Sequence, residues 1–138
     1  MKTFITTLVF ARDPQTIKIV SDREHLSLAF GSCYGYERTS DIFETIGKDS
    51  PDLFVWTGDA YYVDKSPSIK KGFIVDEADV RNKGAQTLDA KGYREMMVDT
   101  RVVGVWDDHD FGFDNEDKDF KGKHQNREAF LDFVGEPE

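Results

Sequence analysis

The sequence predicts an α/β fold built on a parallel sheet, and three observations carry that expectation. Residues 26–30 (LSLAF), 53–57 (LFVWT) and 102–106 (VVGVW) are short apolar runs of strand length. Each leads at once into side chains that bear oxygen, nitrogen or sulfur. Gly31, Ser32 and Cys33 follow the first. Gly58 and Asp59 follow the second, with Tyr61, Tyr62 and Asp64 just beyond. Asp107, Asp108, His109 and Asp110 follow the third. Segments of helical spacing separate the runs, so the chain reads strand–helix–strand twice. A unit of about 30 residues of this kind favours parallel pairing with a crossover, and in such sheets ligands bind beyond the carboxyl ends of the strands.

Taken in order, residues 4–11 (FITTLVFA) are rich in Thr and β-branched residues and read as a first strand rather than a short secretory signal. Residues 16–20 (TIKIV) alternate in part and are placed to pair with it through a turn at Asp13-Pro14. Residues 21–25 are polar, a turn that leaves His25 at the surface. After LSLAF, residues 35–40 form a loop. Residues 41–46 open a helix with Ser40 or Asp41 as N-cap and Glu44 three positions on; Ile42, Phe43 and Ile46 share one face. Gly47 ends this helix and Pro51 enforces the stop.

Strand LFVWT is next. Residues 61–88 read as long and irregular, with a brief strand or packed turn at Phe73, Ile74 and Val75. Residues 89–98 are helical, Ala90, Tyr93, Met96 and Met97 having the spacing of one face. RVVGVW then reads as the central strand. The charged stretch 114–123 (DNEDKDFKGK) reads as a solvated loop rather than a second cation site. Residues 125–134 form a last helix with Ala129, Phe130, Phe133 and Val134 facing inward, closed by Gly135 and Pro137.

Composition narrows the function. The chain has 138 residues, 27 of them acidic and 18 basic, for a net charge of −9. That length suits one domain over residues 1–138. The acidic balance argues against a nucleic-acid-binding surface, which needs a surplus of Lys and Arg, and suits cation binding. One cysteine excludes an internal disulfide framework and leaves Cys33 as a free thiol, a ligand or buried filler. No apolar run approaches the roughly 18 residues of a membrane span.

The acidic cluster at 107–110 has two readings. Two carboxylates about 5 Å apart repel by roughly 3 kcal/mol at an effective dielectric of 20, and by under about 1 kcal/mol in bulk water. On a solvated turn the cluster costs little. At the end of a buried strand the repulsions add, and a cation or a shifted protonation offsets them. Spacing alone leaves both open.

Four blocks then become recognisable: GSC at 31–33, GDAYYVD at 58–64, WDDHDFG at 106–112 and FLDFVGEP at 130–137. In this order they resemble the PhoD-like alkaline phosphatase/phosphodiesterase family of metallophosphatases, from about Leu26 onward. The resemblance implies a metallophosphatase-like αββα sandwich, here mainly its first sheet with the crossover helices. It implies a phosphate ester substrate hydrolysed at a dinuclear-type metal centre, with iron and calcium, or another dinuclear pair, as the metals. It makes Cys33, Asp59 and Tyr62 ligands of the iron, Asp59 a carboxylate shared by two metals, and Asp108 a ligand of the second. His109 stands where the family contacts substrate phosphate. A thiolate and a phenolate suit trivalent iron, and hard carboxylates suit calcium. For location the residues decide nothing, and the resemblance alone points to a secreted or extracytoplasmic protein.

Asp107 reads as a carboxylate that orients its neighbours rather than a ligand, and Trp56 and Trp106 as core. The chain departs from the family at Phe113-Asp114-Asn115, which takes no role. The family's remaining Asp and His ligands lie beyond FLDFVGEP, and His124 matches none of them. The expectation is therefore a domain truncated at its C-terminal end, with an exposed sheet that promotes self-association. The alternative function is a catalytically incomplete scaffold with weak cation binding. A cysteine phosphatase using Cys33 and Arg38 fails on spacing: four residues separate them where that chemistry needs five.

Overall fold

The computed structural model describes residues 25–36, 40–65 and 76–135 in full, and 4–11 and 14–21 as backbone. Phe73, Ile74, Val75 and Arg38 lie outside the described residues. The first two strands, β1 (Phe4–Ala11) and β2 (Pro14–Ser21), pair antiparallel with Phe4 opposite Ser21 and Ala11 opposite Pro14. This is the expected hairpin, longer in its second strand.

The three apolar runs form one parallel sheet. Strands β3 (Leu28–Gly31), β4 (Leu53–Thr57) and β5 (Arg101–Val105) lie in the order β3-β4-β5, with Phe30 beside Val55 and Val55 beside Val103. Among the described residues β4 is therefore the central strand and β5 an edge, which corrects the sequence expectation for RVVGVW. The hydrophobicity of β5 misleads here, because an edge strand packed by helices on one face is as apolar as a central one.

Helices join the strands. Helix α1 (Ile42–Asp49) buries Phe43. Ile42, expected inside, is 46% exposed. The helix also runs past Gly47 and stops at Ser50, which takes the left-handed conformation that closes a helix. Asp41 occupies the N-cap without a side-chain cap bond; Ser40 Oγ accepts from the Ile42 amide at 3.1 Å, and Asp41 pairs with Lys91 at 2.9 Å.

Between β4 and β5 the described part of the expected irregular stretch is largely structured. A 3₁₀ turn spans Val63–Lys65, and helix α2 runs over Glu77–Leu88. Asp76 and Asp79 close a reciprocal capping box at its start. Its inward face consists of Val80, Lys83, Gly84 and Thr87, too polar for a hydrophobic stripe to stand out in sequence. The expected helix over 89–98 is correspondingly short: α3 spans Tyr93–Asp99, because Gly92 sits at φ +81 and breaks the path from α2. A single turn, α4 (Asp108–Phe111), follows β5, and α5 (Lys123–Phe133) ends the described chain with Ala129, Phe130, Phe133 and Val134 all buried.

The helices cover one face of the parallel sheet. Phe54, Trp56 and Val102 point into a cluster with Phe43, Tyr93, Met96, Phe130 and Phe133. The rings meet edge to face: Phe43 and Tyr93 at 4.7 Å and 86°, Phe54 and Trp56 at 5.1 Å and 86°. Gly104 lets β5 approach this cluster, since a Cβ there would lie 2.7 Å from that of Trp56. On the other face Leu53 and Val103 are buried while Leu28 (50%), Phe30 (72%) and Val105 (57%) are exposed. Among the described residues no helix is long and apolar enough to cross a membrane.

The buried Trp56 Nε1–H donates to the Tyr93 hydroxyl at 2.9 Å. Tyr93→Phe removes the acceptor and strands the indole N–H. Urea denaturation should show a loss of about 1–3 kcal/mol with the m-value unchanged.

Candidate metal centre

The three parallel strands end at one edge, and their trailing loops meet there. Thr57 Oγ1 donates to the Gly31 carbonyl at 3.2 Å, and the Tyr34 amide to the Asp59 carbonyl at 2.9 Å, so the loops after β3 and β4 are tied together. Cys33 Sγ consequently lies 3.6 Å from Asp59 Oδ2, and the Tyr62 hydroxyl donates to the same oxygen at 3.1 Å.

The turn after β4 is tight. Gly58 has φ +102, and a Cβ on it would come within 2.9 Å of the Asp107 Cβ. Asp59 follows at φ +52, a left-handed conformation that side chains adopt at a cost. Cys33 (φ +57) and Asn115 (φ +64) share it, so three of the four described non-glycine residues with positive φ lie around this edge. Such clustering is characteristic of functional sites, where the surroundings over-determine the strain.

Asp110 explains how the turn is held. Its carboxylate is wholly buried. Oδ2 accepts from the amides of Asp59 at 2.7 Å and Asp107 at 2.8 Å, and Oδ1 from those of Ala60 at 2.8 Å and Tyr61 at 3.3 Å. Burial pushes this carboxyl up to about 7, opposed by the N–H groups of Asp107, Tyr61 and Asp59, which stabilise the ionised form.

Asp108 and His109 sit on α4. The Asp108 carboxylate accepts from the His109 amide at 3.0 Å and, closely, from the Asn115 amide. His109 Nδ1 lies 2.8 Å from Asp64 Oδ1, and its Nε2 lies 3.5 Å from Asp114 Oδ1. Its ring rests on that of Tyr62, with centroids 4.4 Å apart.

Ligand atoms of Asp59, Asp108 and His109 all lie within 4.8 Å of one another. Asp59 Oδ1 is buried and has no hydrogen-bond partner among the described residues, an arrangement that a cation would satisfy. Carboxylate, imidazole, thiol and phenol form a donor set suited to a transition metal beside a harder cation. Burial, then hydrogen bonding to Cys33 and the Asp59 charge, hold the Tyr62 phenol well above its ordinary range; a bound cation would invert that balance.

Cys33, Asp59 and Tyr62 are thus brought into mutual contact, and Asp108 and His109 stand beside Asp59. Asp107, exposed, accepts from the Asp108 amide at 2.9 Å and caps α4. Trp106 is half-buried, 5.9 Å from the Phe130 ring. His25 is exposed. His124 lines a separate cavity of about 480 Å³ with Trp106, Phe111 and Lys123. Sequence reasoning passed over two partners. Asp64 stands in GDAYYVD with no spacing rule that ties it to His109. The signal for Asp110 was the D-x-x-D of a capping box at 107–110, hidden because a one-turn helix has no periodicity.

No protein-family model matches the chain, and no curated protein matches it. A solved structure of PhoD matches 77% of this chain with a TM-score of 0.57 and 26% sequence identity, and the match spans 22% of that protein's chain. The chain is PhoD-like in fold: a mixed α/β unit similar to part of a metallophosphatase-like domain.

Asp59→Asn should remove most metal uptake while leaving the fold intact, since it relieves carboxylate repulsion even as it weakens the ligand. Elemental analysis of purified variant and wild type checks this. Equal metal content in the two would mean that Asp59 is not a ligand.

Proposed function

We propose that this PhoD-like chain carries part of the catalytic centre of a metal-dependent phosphoesterase, with phosphodiesters among its substrates. The convergence of Asp59, Asp108 and His109 within 4.8 Å, with Asp59 Oδ1 buried and unpaired among the described residues, is the observation that supports this reading most. In it, Cys33, Asp59 and Tyr62 would hold iron, and Asp59 together with Asp108 would hold a second metal such as calcium. Bound there, the metals supply the charge that draws in phosphate oxygens and lowers the pKa of a water.

The chain's own groups do the rest. Asp64, 2.8 Å from His109 Nδ1, fixes the tautomer with hydrogen on Nδ1 and turns Nε2 outward. In the imidazolium form Nε2 also carries a proton, and can donate it as a hydrogen bond to a phosphoryl oxygen or transfer it to the leaving alkoxide. Packing on Tyr62 limits ring rotation. Asp114 Oδ1 lies 3.5 Å from Nε2.

A second reading has its own support. A calcium site wants six or more oxygens, and the described residues that converge supply three potential ligands, with a thiol and a phenol alongside. On that reading the chain is a scaffold with weak cation binding.

The two readings separate in an assay of bis(4-nitrophenyl) phosphate hydrolysis with iron and calcium added. The enzyme reading expects turnover that a chelator abolishes and that His109→Ala lowers by about 10²–10⁴-fold. Asp64→Asn should lower kcat by about tenfold with KM little changed, because it disturbs the orientation of His109 and not the metal ligands. Absence of turnover from folded, metal-loaded protein favours the scaffold. Turnover that a chelator leaves untouched removes metal dependence altogether.

A further inference from the structure

We propose that Asp110 is a positioning residue whose buried carboxylate, gripped by four backbone amides, locks the Asp59 loop against the Asp107–Asp108 turn and so presets the spacing of the two metal-facing carboxylates. The proposal rests on the metal-centre reading above for its functional meaning, and on hydrogen-bond geometry for its substance.

An ionised carboxylate has about four acceptor sites, and in Asp110 four N–H donors use them: those of Asp59, Ala60, Tyr61 and Asp107. No acceptor capacity is left for a cation, so Asp110 is not a ligand. Its donors are not ordinary helix or strand amides. Three come from consecutive residues, 59 to 61, which face one side because Asp59 at positive φ is followed by Ala60 at negative φ. Such a run of amides is an anion-binding nest, and a side chain of the same protein fills it. Empty, it would leave Ala60 and Tyr61, both buried, with N–H groups lacking these partners.

The fourth donor carries the functional point. Oδ2 alone accepts from both Asp59 and Asp107, at 2.7 and 2.8 Å. One oxygen atom thus fixes the backbone of one proposed ligand to that of the residue preceding another. The Asp59 side chain faces Cys33 and Tyr62 instead, so it is left free to ligate.

The test uses the whole chain, with cobalt(II) as the probe metal. Asp110→Asn keeps the volume and replaces one oxygen by an amino group that faces two N–H donors. Cobalt affinity should fall by about 10–100-fold with a changed visible absorption band, and amides 59–61 should lose hydrogen-exchange protection in the metal-free protein. Tyr93→Phe is the control for lost stability alone; its cobalt affinity and spectrum should match the wild type. Should Asp110→Asn fail to fold, exchange in the wild type decides: the amides of Asp59, Ala60, Tyr61 and Asp107 should open together with one free energy.

Wild-type cobalt affinity together with full protection of amides 59–61 in folded Asp110→Asn would overturn the proposal, as would independent opening of the four amides in the wild type. If the wild type binds no cobalt, the metal-centre reading fails, while the exchange measurements still decide whether Asp110 locks the loops.

Discussion

The Asp110 carboxylate is the interaction on which the site depends. The loop after β4 and the turn after β5 come from segments about fifty residues apart in sequence, and each holds a residue with acidic chemistry. Bringing them together concentrates negative charge and forces Gly58 and Asp59 into left-handed conformations. Four N–H bonds to one buried carboxylate offset both costs, since hydrogen bonds to a charged group are worth about 1.5–3 kcal/mol each. The arrangement has its own tension: a further carboxyl group has been buried to hold the others, and burial opposes its ionisation.

The aromatic core supplies the rigid base beneath. Trp56, one residue before Thr57 and three before Asp59, is packed on Phe43, Phe54 and Tyr93 and hydrogen-bonded to Tyr93. Gly104 on β5 fits against it. The strand ends therefore cannot slide past one another without opening a close-packed cluster, and interiors at crystal-like density do not yield gradually. The helices matter to the site chiefly as the other half of that cluster. Surface pairs such as Arg81 with Glu77 and Asp132 join α2 to its neighbour α5 but, being exposed, add little stability.

The site combines groups held firmly with groups left unsatisfied. His109 is held on three sides, by Asp64, Tyr62 and Asp114, while Asp59 Oδ1 has no partner among the described residues. Structural ion-pair networks leave few buried acceptors open. An open carboxylate oxygen beside a restrained imidazole accords with the cation-holding site proposed above, where a bound metal would take up the open acceptor.

The sequence by itself determined the strands and the direction of the sheet. LSLAF, LFVWT and RVVGV are apolar runs with polar residues at their carboxyl ends, and that pattern depends only on local burial and on the crossover length between them. It also placed Cys33, Asp59, Tyr62, Asp108 and His109 at strand ends, where residue type and position together limit the choices. Tertiary structure decided three other matters. It set β4 rather than β5 at the centre, because strand order depends on which helices pack where. It made a helix of Glu77–Leu88, whose polar inward face gains its stability from α5 and not from its own pattern. And it gave Asp64 and Asp110 their partners. A carboxylate's hydrogen bonds to backbone amides leave no trace in the residues that donate them, since every residue but proline has the same N–H to offer.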